Sequence, residues 1–353
     1  MIIRVARQWW TSSNRQALLD AQQKLVSGVV QSPVIRSISS PLNSLEFGTA
    51  HVDKPTVVLC HGFGSGLGFF FNNIDGLLKS NKIGRLLLVD WLGMGGSDRP
   101  PCRRPVRGYF EYTSSWCDSR FTPDQSVDFF VDPFEEWMAS QNLNDNVILV
   151  GHSLGGYLSA RYALKYPERL SKLVLASPVG IPAKPANALP SSQMPTSIRI
   201  LDALWWANVT PQQLVRMMGA SRGQQNVRRA LAGRIPNLKP YEVDLLADYL
   251  YHITVAHPSG EFAMNSLLEP AVSPEVMGVF AREPLEERLK ALDHKIRLNI
   301  MYGDHDWMRP NEPSARRLVN HLGGNRASLS IVENAGHHLY LENPSDFNRQ
   351  IVS

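Results

Sequence analysis

The sequence has few cysteines and no long apolar run. Its three cysteines, Cys60, Cys102 and Cys117, lack the C-x-x-C spacing of a zinc site and do not pair evenly into a disulfide framework. We therefore predict no metal and favour a reducing, intracellular compartment. No apolar stretch approaches the roughly 20 residues that cross a bilayer. The net charge of +4 is too weak to indicate a nucleic-acid partner.

Residues 1–10 contain no acidic side chain and no secretory apolar region followed by a cleavage site. Two interpretations stay open, because basic residues beside Trp9 and Trp10 suit a membrane interface but also suit the start of a helix. The segment is either an amphipathic targeting or membrane-surface element, or the beginning of the first helix. A helix is predicted over 14–26, with its amino-terminal cap in 11–13.

The composition is that of an ordinary globular protein, with 43% hydrophobic and 19% charged residues over 353 positions. Apolar strand runs alternate with helical patterns, which predicts an α/β fold with a doubly wound, mostly parallel sheet. Between about 179 and 290 the pattern shows several helices and no convincing strand. We therefore predict four segments: an N-terminal helical segment (1–45), a first core part (46–178), a helical cap insertion (179–290) and a second core part (291–353).

A short stretch at 147–156 carries the main chemical motif. Four apolar residues of a buried strand run into G-x-S-x-G, and a helical pattern follows. Strand, motif and helix in this order are the context of a nucleophile elbow, in which Ser153 stands exposed at a sharp turn. The Leu154 amide then lies at the start of the helix, where an oxyanion is stabilised.

The elbow predicts three partners elsewhere in the chain. A strand at 56–60 leads into a glycine-containing loop, which offers the Phe63 amide as a second oxyanion donor. A nucleotide loop is the alternative there, but the glycines are spaced G-x-G-x-G rather than G-x-G-x-x-G. After the strand at 296–301, the acid is Asp304 or Asp306. After the last strand, the histidine is His337 or His338.

The cap segment is rich in basic residues between 199 and 239. One aspartate stands there against seven basic residues, beside tryptophan and methionine. A solvated helix face is one interpretation of each arginine, whereas the group together suits an anionic lipid surface or a phosphate headgroup. The predicted lipid-binding residues are Arg216, Arg222, Arg228, Arg229 and Arg234.

These motifs resemble the α/β-hydrolase superfamily, and most closely the branch of α/β-hydrolase domain-containing proteins 4 and 5 with their plant and fungal relatives. The branch includes lysophosphatidate acyltransferase-like and cardiolipin deacylase-like proteins. The resemblance covers nearly the whole chain. It is carried by the stretches at 9–12, 61–64, 90–95, 151–156, 254–261, 302–308 and 335–344.

The resemblance implies which acid and which histidine are used. In this family the acid stands three residues after the strand-end glycine and the histidine follows Ala-Gly, which select Asp306 and His337. The family acts on acyl esters of phospholipids or lysophospholipids, with no cofactor. Some members are described as acyltransferases that use acyl-CoA and an H-x4-D motif. Here Glu342 takes the place of that aspartate.

Together, the residues and the resemblance predict a serine hydrolase with the triad Ser153, His337 and Asp306. An acyltransferase using His337 and Glu342 is the alternative within the fold. A lipase co-activator without catalysis is the alternative of another class, although the co-activator type in this family lacks the serine. A dehalogenase would need aspartate at the elbow. The expected partner is the surface of a membrane or lipid droplet, bound peripherally.

Overall fold

The structure is a computed structural model that describes residues 10–100, 121–235 and 237–353. The predicted segment 1–10, except Trp10, and the two cysteines Cys102 and Cys117 lie outside the described residues. The strands predicted at 56–60, 147–150 and 296–301 form within two residues of their expected bounds. The strands of the described ranges are β1 Arg36–Ile38, β2 Ser44–Gly48, β3 Thr56–Cys60, β4 Arg85–Val89, β5 Val147–His152, β6 Leu170–Ala176, β7 Leu268–Val272, β8 Met277–Ala281, β9 Arg297–Gly303 and β10 Ala327–Val332.

Eight strands form one sheet in the order β1-β2-β4-β3-β5-β6-β9-β10. Neighbours from β4 to β10 are parallel, whereas β2 runs antiparallel to β4 and β1 antiparallel to β2. This order confirms the predicted doubly wound, mostly parallel sheet. The carboxyl ends of β3, β5, β6, β9 and β10 consequently lie along one edge, where α/β folds place their ligands.

Helices cover both faces of the sheet and build most of the segment between β6 and β9. They are α1 Arg15–Val29, α2 Phe71–Lys79, α3 Pro123–Ser140, α4 Leu154–Lys165, α5 Thr196–Trp206, α6 Pro211–Met217, α7 Gly219–Arg234, α8 Pro240–Val255, α9 Met264–Leu267, α10 Leu285–Arg288, α11 Glu312–Leu322, α12 Leu339–Glu342 and α13 Pro344–Ile351. Across the described residues, none of these helices is both long and apolar enough to cross a membrane.

The central strand β5 explains why its apolar run is continuous. Val147 and Leu149 pack on one side of the sheet with α3 and α4, and Ile148 and Val150 pack on the other side with α1, α2 and α13. A parallel strand covered on both faces has no solvent-facing positions to fill with polar residues. The sheet therefore holds the elbow rigidly from both sides.

The first helix differs from the prediction at its start. Asn14 caps α1 by accepting a hydrogen bond from the Ala17 amide at 2.9 Å, so the prediction of a cap in 11–13 is wrong. Residues 11–13 instead contact α8, which belongs to the inserted helical segment 179–290. Ser13 Oγ lies 2.8 Å from His252 Nδ1, and the Tyr251 hydroxyl donates to the Thr11 carbonyl at 2.6 Å.

The cap segment contains the predicted helices, but the prediction that it has no strand is wrong. Strands β7 and β8 pair in an antiparallel hairpin, with Leu268 opposite Ala281 and Val272 opposite Met277. Pro270 lies inside β7 and Glu269 precedes it, so the segment lacks the unbroken apolar or alternating pattern of a strand. Pairing with β8 overrides this weak local preference.

Candidate active site

The nucleophile elbow forms as the motif predicts. β5 ends at His152, α4 begins at Leu154, and Ser153 between them has φ +54° and ψ −117°. A positive φ is unfavourable for a residue with a side chain, so the strand and helix on either side hold Ser153 in this strained turn. Glycine is required at position 151 because a Cβ there would collide with the Gly155 carbonyl oxygen.

Three side chains from three strand ends meet at this turn. His337 Nε2 lies 3.1 Å from Ser153 Oγ, and His337 Nδ1 lies 3.1 Å from Asp306 Oδ1. These are the separations of a nucleophile hydrogen-bonded to a base and of a base oriented by an acid. The structure thus brings together the serine, histidine and aspartate that the sequence singled out.

The two candidate acids have different environments. Asp306 is 4% exposed, and its carboxylate also accepts from the Met308 amide at 2.9 Å and from the Ser177 hydroxyl. Burial acts to raise the pKa of Asp306, but the hydrogen bonds from His337, Ser177 and Met308 hold that pKa below its usual value. Asp304 instead accepts from the backbone amides of Asn334 and Ala335. Asp304 therefore ties two loops together and does not reach His337.

The two candidate histidines also differ. His338 Nδ1 lies 3.0 Å from the Tyr340 hydroxyl, and no contact joins the His338 ring to Ser153 among the described residues. Burial, with the nearby charges of His337 and Arg234, lowers the pKa of His338 to about 3. His338 is therefore neutral at physiological pH and packs beside the triad.

Two residues of the site escaped the sequence reasoning. Ser177 follows β6 and donates to Asp306, and His152 Nε2 donates to the His337 carbonyl at 2.9 Å. Both stand at strand ends on the edge that carries the triad. Their position at that edge is readable from the sequence, but their partners are not, because hydrogen bonds between loops depend on the register of distant strands.

Glu342 holds the histidine loop rather than the imidazole. Its Oε2 accepts from the Gly336 amide at 2.8 Å and its Oε1 from the His338 amide at 3.2 Å. The carboxylate therefore binds the backbone on both sides of His337. The predicted pairing of His337 with Glu342 in an acyltransferase motif has no direct side-chain contact in this structure.

The loop that follows β3 approaches the nucleophile closely. A Cβ added to Gly62 would lie 3.0 Å from the Ser153 Cβ, so the backbone of this loop passes beside the serine. The amides of Phe63 and Leu154 donate to no acceptor within the described ranges. Two free amides near the serine are compatible with the predicted oxyanion hole.

A buried pair anchors this loop, and the sequence reasoning missed it. His61 Nε2 lies 3.3 Å from Asp90 Oδ1, and the Trp91 indole donates to the His61 carbonyl at 3.1 Å. Burial lowers the pKa of His61. The Asp90 carboxylate also accepts from the Leu67 and Gly96 amides, so the loops after β3 and β4 are fixed to each other.

The predicted lipid-binding arginines fall into two groups. The prediction for Arg216 is wrong, because this side chain is 4% exposed and binds Glu261 through both terminal nitrogens at 2.7 and 2.5 Å. Arg216 lies on the buried face of α6, where the carboxylate of Glu261 binds its guanidinium. The remaining four side chains are exposed; they are Arg222, Arg228, Arg229 and Arg234 on α7. Arg228 pairs with Asp244 at 2.6 Å.

Within the part of the chain that the structure describes, no group of three or more His, Cys, Asp or Glu side chains could hold a metal ion. The prediction that no cofactor is needed stays a prediction.

Comparison with known families decides the family. Residues 55–344 match the α/β hydrolase fold family. The chain belongs to this family. The fold agrees with that of a carboxylesterase from Bacillus subtilis, with a TM-score of 0.57 and 18% identity, covering 96% of this chain and 97% of that structure.

Several relatives of this α/β hydrolase have lipid-related names. A probable 1-acylglycerol-3-phosphate O-acyltransferase of rice is 30% identical and covers 97% of this chain and 81% of its own. The pig 1-acylglycerol-3-phosphate O-acyltransferase ABHD5 is 30% identical and covers 95% and 88%. A bovine (lyso)-N-acylphosphatidylethanolamine lipase is 28% identical and covers 84% and 78%. The predicted branch of the superfamily is confirmed.

Proposed function

We propose that this α/β hydrolase cleaves acyl esters of phospholipids or lysophospholipids through Ser153, His337 and Asp306. The observation that carries the proposal is the hydrogen-bonded series from Ser153 Oγ to His337 Nε2 and from His337 Nδ1 to Asp306 Oδ1, each at 3.1 Å. An acid that is buried and held ionised beside the histidine supports the same role. The lipid class rests on the names of the relatives.

The proposed reaction has two halves. Ser153 Oγ attacks the ester carbonyl while His337 Nε2 takes its proton, and His337 then gives that proton to the leaving alcohol. Asp306 keeps the Nδ1–H of His337 in place and stabilises the imidazolium. The amides of Phe63 and Leu154 bind the oxyanion, and each such donor typically contributes about 3 kcal/mol to lowering the barrier. Water then releases the acyl group by the same steps in reverse.

Acyl transfer is the second candidate, and the names of the rice and pig relatives favour it. A lysophospholipid hydroxyl could replace water at the acyl-enzyme, with acyl-CoA as donor. We prefer hydrolysis because the hydrogen-bonded Ser153, His337 and Asp306 are sufficient for ester cleavage with water as the acceptor. Glu342 contacts the backbone beside His337 and supplies no separate route for transfer.

A non-catalytic lipase co-activator is the candidate from another class. The spacing of Ser153, His337 and Asp306 speaks against it, since a vestigial site has no need to hold a buried aspartate against its histidine. If the folded protein hydrolysed no ester, the co-activator would become the better candidate.

A lipid substrate requires docking, and the cap offers a surface for it. Ile200, Leu201, Leu214 and Met217 on α5 and α6 are between 49% and 75% exposed. Exposed arginines of α7 stand next along the chain. Apolar side chains for insertion beside basic side chains for anionic headgroups are the features of peripheral membrane binding. We therefore propose an intracellular protein that binds a membrane or lipid-droplet surface peripherally.

The decisive experiment compares the parent protein with Ser153→Ala and His337→Ala. Labelled phospholipids and lysophospholipids are supplied with and without acyl-CoA, and a fluorophosphonate probe reports the reactive serine. We expect labelling and acyl-CoA-independent release of fatty acid in the parent protein, and neither in Ser153→Ala. Acyl-CoA-dependent phosphatidate formation that survives Ser153→Ala but not His337→Ala would make transfer the main activity.

A further inference from the structure

The loop that carries His337 starts far from Ser153 in the order of the sheet. Ser153 follows β5 and His337 follows β10, and the strands β6 and β9 stand between them. The histidine loop must therefore reach across the ends of two strands to bring its imidazole to the serine. How the two ends are fixed to each other matters, because a displacement of about 1 Å at a reacting group can cost about a hundredfold in rate.

His152 joins these two ends directly. Its Nε2 lies 2.9 Å from the carbonyl oxygen of His337, so the residue next to the nucleophile holds the main chain of the base. The backbone of His152 belongs to β5, where it lies opposite Ala176 of β6, and the residue is only 2% exposed. A buried side chain on a paired strand has little freedom to change rotamer, so it is suited to anchor a loop.

This hydrogen bond fixes the chemical state of the His152 ring. A carbonyl oxygen can only accept, so Nε2 carries the hydrogen and Nδ1 of the neutral ring carries none. Burial, with the nearby charges of His337 and His338, lowers the pKa of His152 well below its usual value. The ring therefore stays uncharged when His337 takes the proton of Ser153. A charged donor at this position would instead repel the imidazolium that forms.

The other ring nitrogen of His152 faces the loop after β3. A Cβ added to Gly62 would lie 3.0 Å from His152 Nδ1 and 3.0 Å from the Ser153 Cβ. Nδ1 is buried and has no hydrogen-bond partner in the part of the chain that the structure describes. The backbone at Gly62 packs against this nitrogen. The ring thus acts on the reaction through the residues that it touches.

Aromatic rings contact both His337 and His152. The centroids of the His152 and His337 rings are 4.8 Å apart, and the indole of Trp307 lies 5.0 Å from the His337 ring. Tyr340 packs edge-on against His152 at 4.8 Å. Loss of the His152 ring would consequently remove packing as well as the hydrogen bond. A test must separate these two effects.

We propose that His152 is a positioning residue, which holds the main chain of His337 so that the imidazole stays within reach of Ser153 Oγ. The inference rests on the proposed function, because it assigns His152 to the same triad. Ser177 joins the end of β6 to Asp306 in the loop after β9, whereas His152 joins β5 to the loop after β10. The nucleophile and the base are thereby tied together without passing through Asp306.

The test compares two substitutions of similar length, His152→Gln and His152→Met. The glutamine amide can donate near the place of Nε2, whereas methionine fills similar space without a donor. We expect His152→Met to lower kcat about tenfold to a hundredfold with KM changed by less than about twofold, and His152→Gln to recover most of that rate. Hydrolysis of a soluble ester measures both constants. His321→Met, at an exposed position of α11, is the control and should behave like the parent protein.

The free energy of unfolding separates positioning from packing. The amide oxygen of glutamine would be buried without a partner, so His152→Gln should be no more stable than His152→Met. A purely structural role therefore predicts that methionine is at least as good a replacement in kcat as in stability. The positioning role predicts the opposite order for kcat. Urea denaturation of the two variants gives the order of their stabilities.

Two results would overturn the inference. One is a His152→Met protein with the kcat of the parent protein, and the other is an equal loss of kcat in His152→Met and His152→Gln. If His152→Met does not fold, His152→Asn replaces it, because the shorter amide ends near the place of Nδ1 and does not reach the His337 carbonyl.

Failure of the proposed function gives a different result. If Ser153 is labelled by a fluorophosphonate but no ester is hydrolysed, the rate of labelling replaces kcat in the comparison. If the parent protein shows neither labelling nor hydrolysis, the proposed function is wrong, and nitrogen NMR of the isotope-labelled full chain tests the bond itself. We expect a neutral Nε2–H tautomer for His152 at neutral pH, with its signals assigned by their loss in His152→Gln. An Nδ1–H tautomer would overturn the inference.

Discussion

The carboxyl edge of the sheet and the helical cap contrast in how their charged residues are placed. At the sheet edge, residues far apart in the chain converge: Ser153, Asp306 and His337 form one hydrogen-bonded series. In the cap, residues close together in the chain diverge, since Arg216 is buried against Glu261 while Arg222 faces solvent. Parallel strands bring their ends to a common edge, whereas the direction of a side chain in a helical segment depends on which face its own helix buries.

The contrast shows which functional predictions a sequence can support. A residue directly after a parallel strand always lies at the carboxyl edge of the sheet. The side chain of a basic residue in a helix points to solvent or to the core, depending on which face of the helix is buried. Predictions made for the cap therefore needed the packing of α6 and α7, and those made for the sheet edge did not.

The largest expected effect separates the two acids of the β9 loop. Asp306→Asn should lower kcat about 10³- to 10⁴-fold, because an amide no longer holds His337 in the required tautomer. Asp304→Asn should leave kcat within severalfold, since the Asp304 carboxylate accepts from the Asn334 and Ala335 amides, lies near His305 and forms no hydrogen bond with His337 among the described residues. Steady-state hydrolysis of a soluble ester measures both. Equal losses would remove the distinction between the two acids.

The next effect separates the two kinds of cap arginine. Arg216→Ala should lower the free energy of unfolding by about 3–5 kcal/mol, because it leaves Glu261 buried without its partner. Arg222→Ala, at an exposed position, should change it by no more than about 0.5 kcal/mol. Urea denaturation followed by fluorescence measures both values. A stable Arg216→Ala protein would contradict the structural role given to this ion pair.

Glu342 tests how firmly the sheet edge must hold its histidine. Glu342→Ala should lower kcat about tenfold to a hundredfold with little change in KM, because the backbone around His337 loses both of its bonds to the carboxylate. Glu342→Gln keeps one acceptor and should recover part of the rate. Recovery of kcat in Glu342→Gln is the second readout. A purely structural role would lower the yield of folded protein and leave the kcat of the folded fraction unchanged.

A smaller effect concerns pH. The pKa of His338 is about 3 in the folded protein, below the roughly 6.5 of an unfolded chain. The folded state thus favours neutral His338, and stability should fall as the pH drops from about 6.5 towards 3, by at most about 1.4 kcal/mol per pH unit. His338→Gln should flatten this part of the curve. The free energies of unfolding of the parent protein and of His338→Gln at pH 7 and pH 5 test this prediction. An equal loss of stability in the two proteins would contradict it.

The smallest effect tests the cap surface. Arg222→Glu with Arg229→Glu should weaken binding to anionic liposomes, with each basic residue contributing about 1 kcal/mol at low salt. Arg228 is left unchanged because Asp244 already pairs with it. Hydrolysis of a soluble ester should not change, and Arg297→Glu is the control for added negative charge. Liposome sedimentation at two salt concentrations measures the binding, and unchanged binding would leave these arginines as a solvated face.

Much of the core could be predicted, and the reasons are local. β5 reads as an unbroken apolar run because both faces of the sheet are covered, and the glycines of the elbow are required by direct collisions. The resemblance to a family then selected Asp306 over Asp304. Ser177 and Glu342 could not be given their contacts from sequence, because those bonds join loops across the sheet edge. β7 was missed because Pro270 interrupts its pattern.

The bonds from Thr11 and Ser13 to Tyr251 and His252 have a consequence for exchanging parts between relatives. α1 and α8 share one apolar cluster through Leu18, Leu25 and Leu246. The Tyr249 hydroxyl of α8 also accepts from the Gly68 amide at 3.3 Å, close in the chain to the loop that follows β3. A chimera that replaced only residues 179–290 would sever these contacts. Transplanting the cap from a relative therefore requires the donor's first helix as well, so that two distant stretches of chain form one exchangeable module.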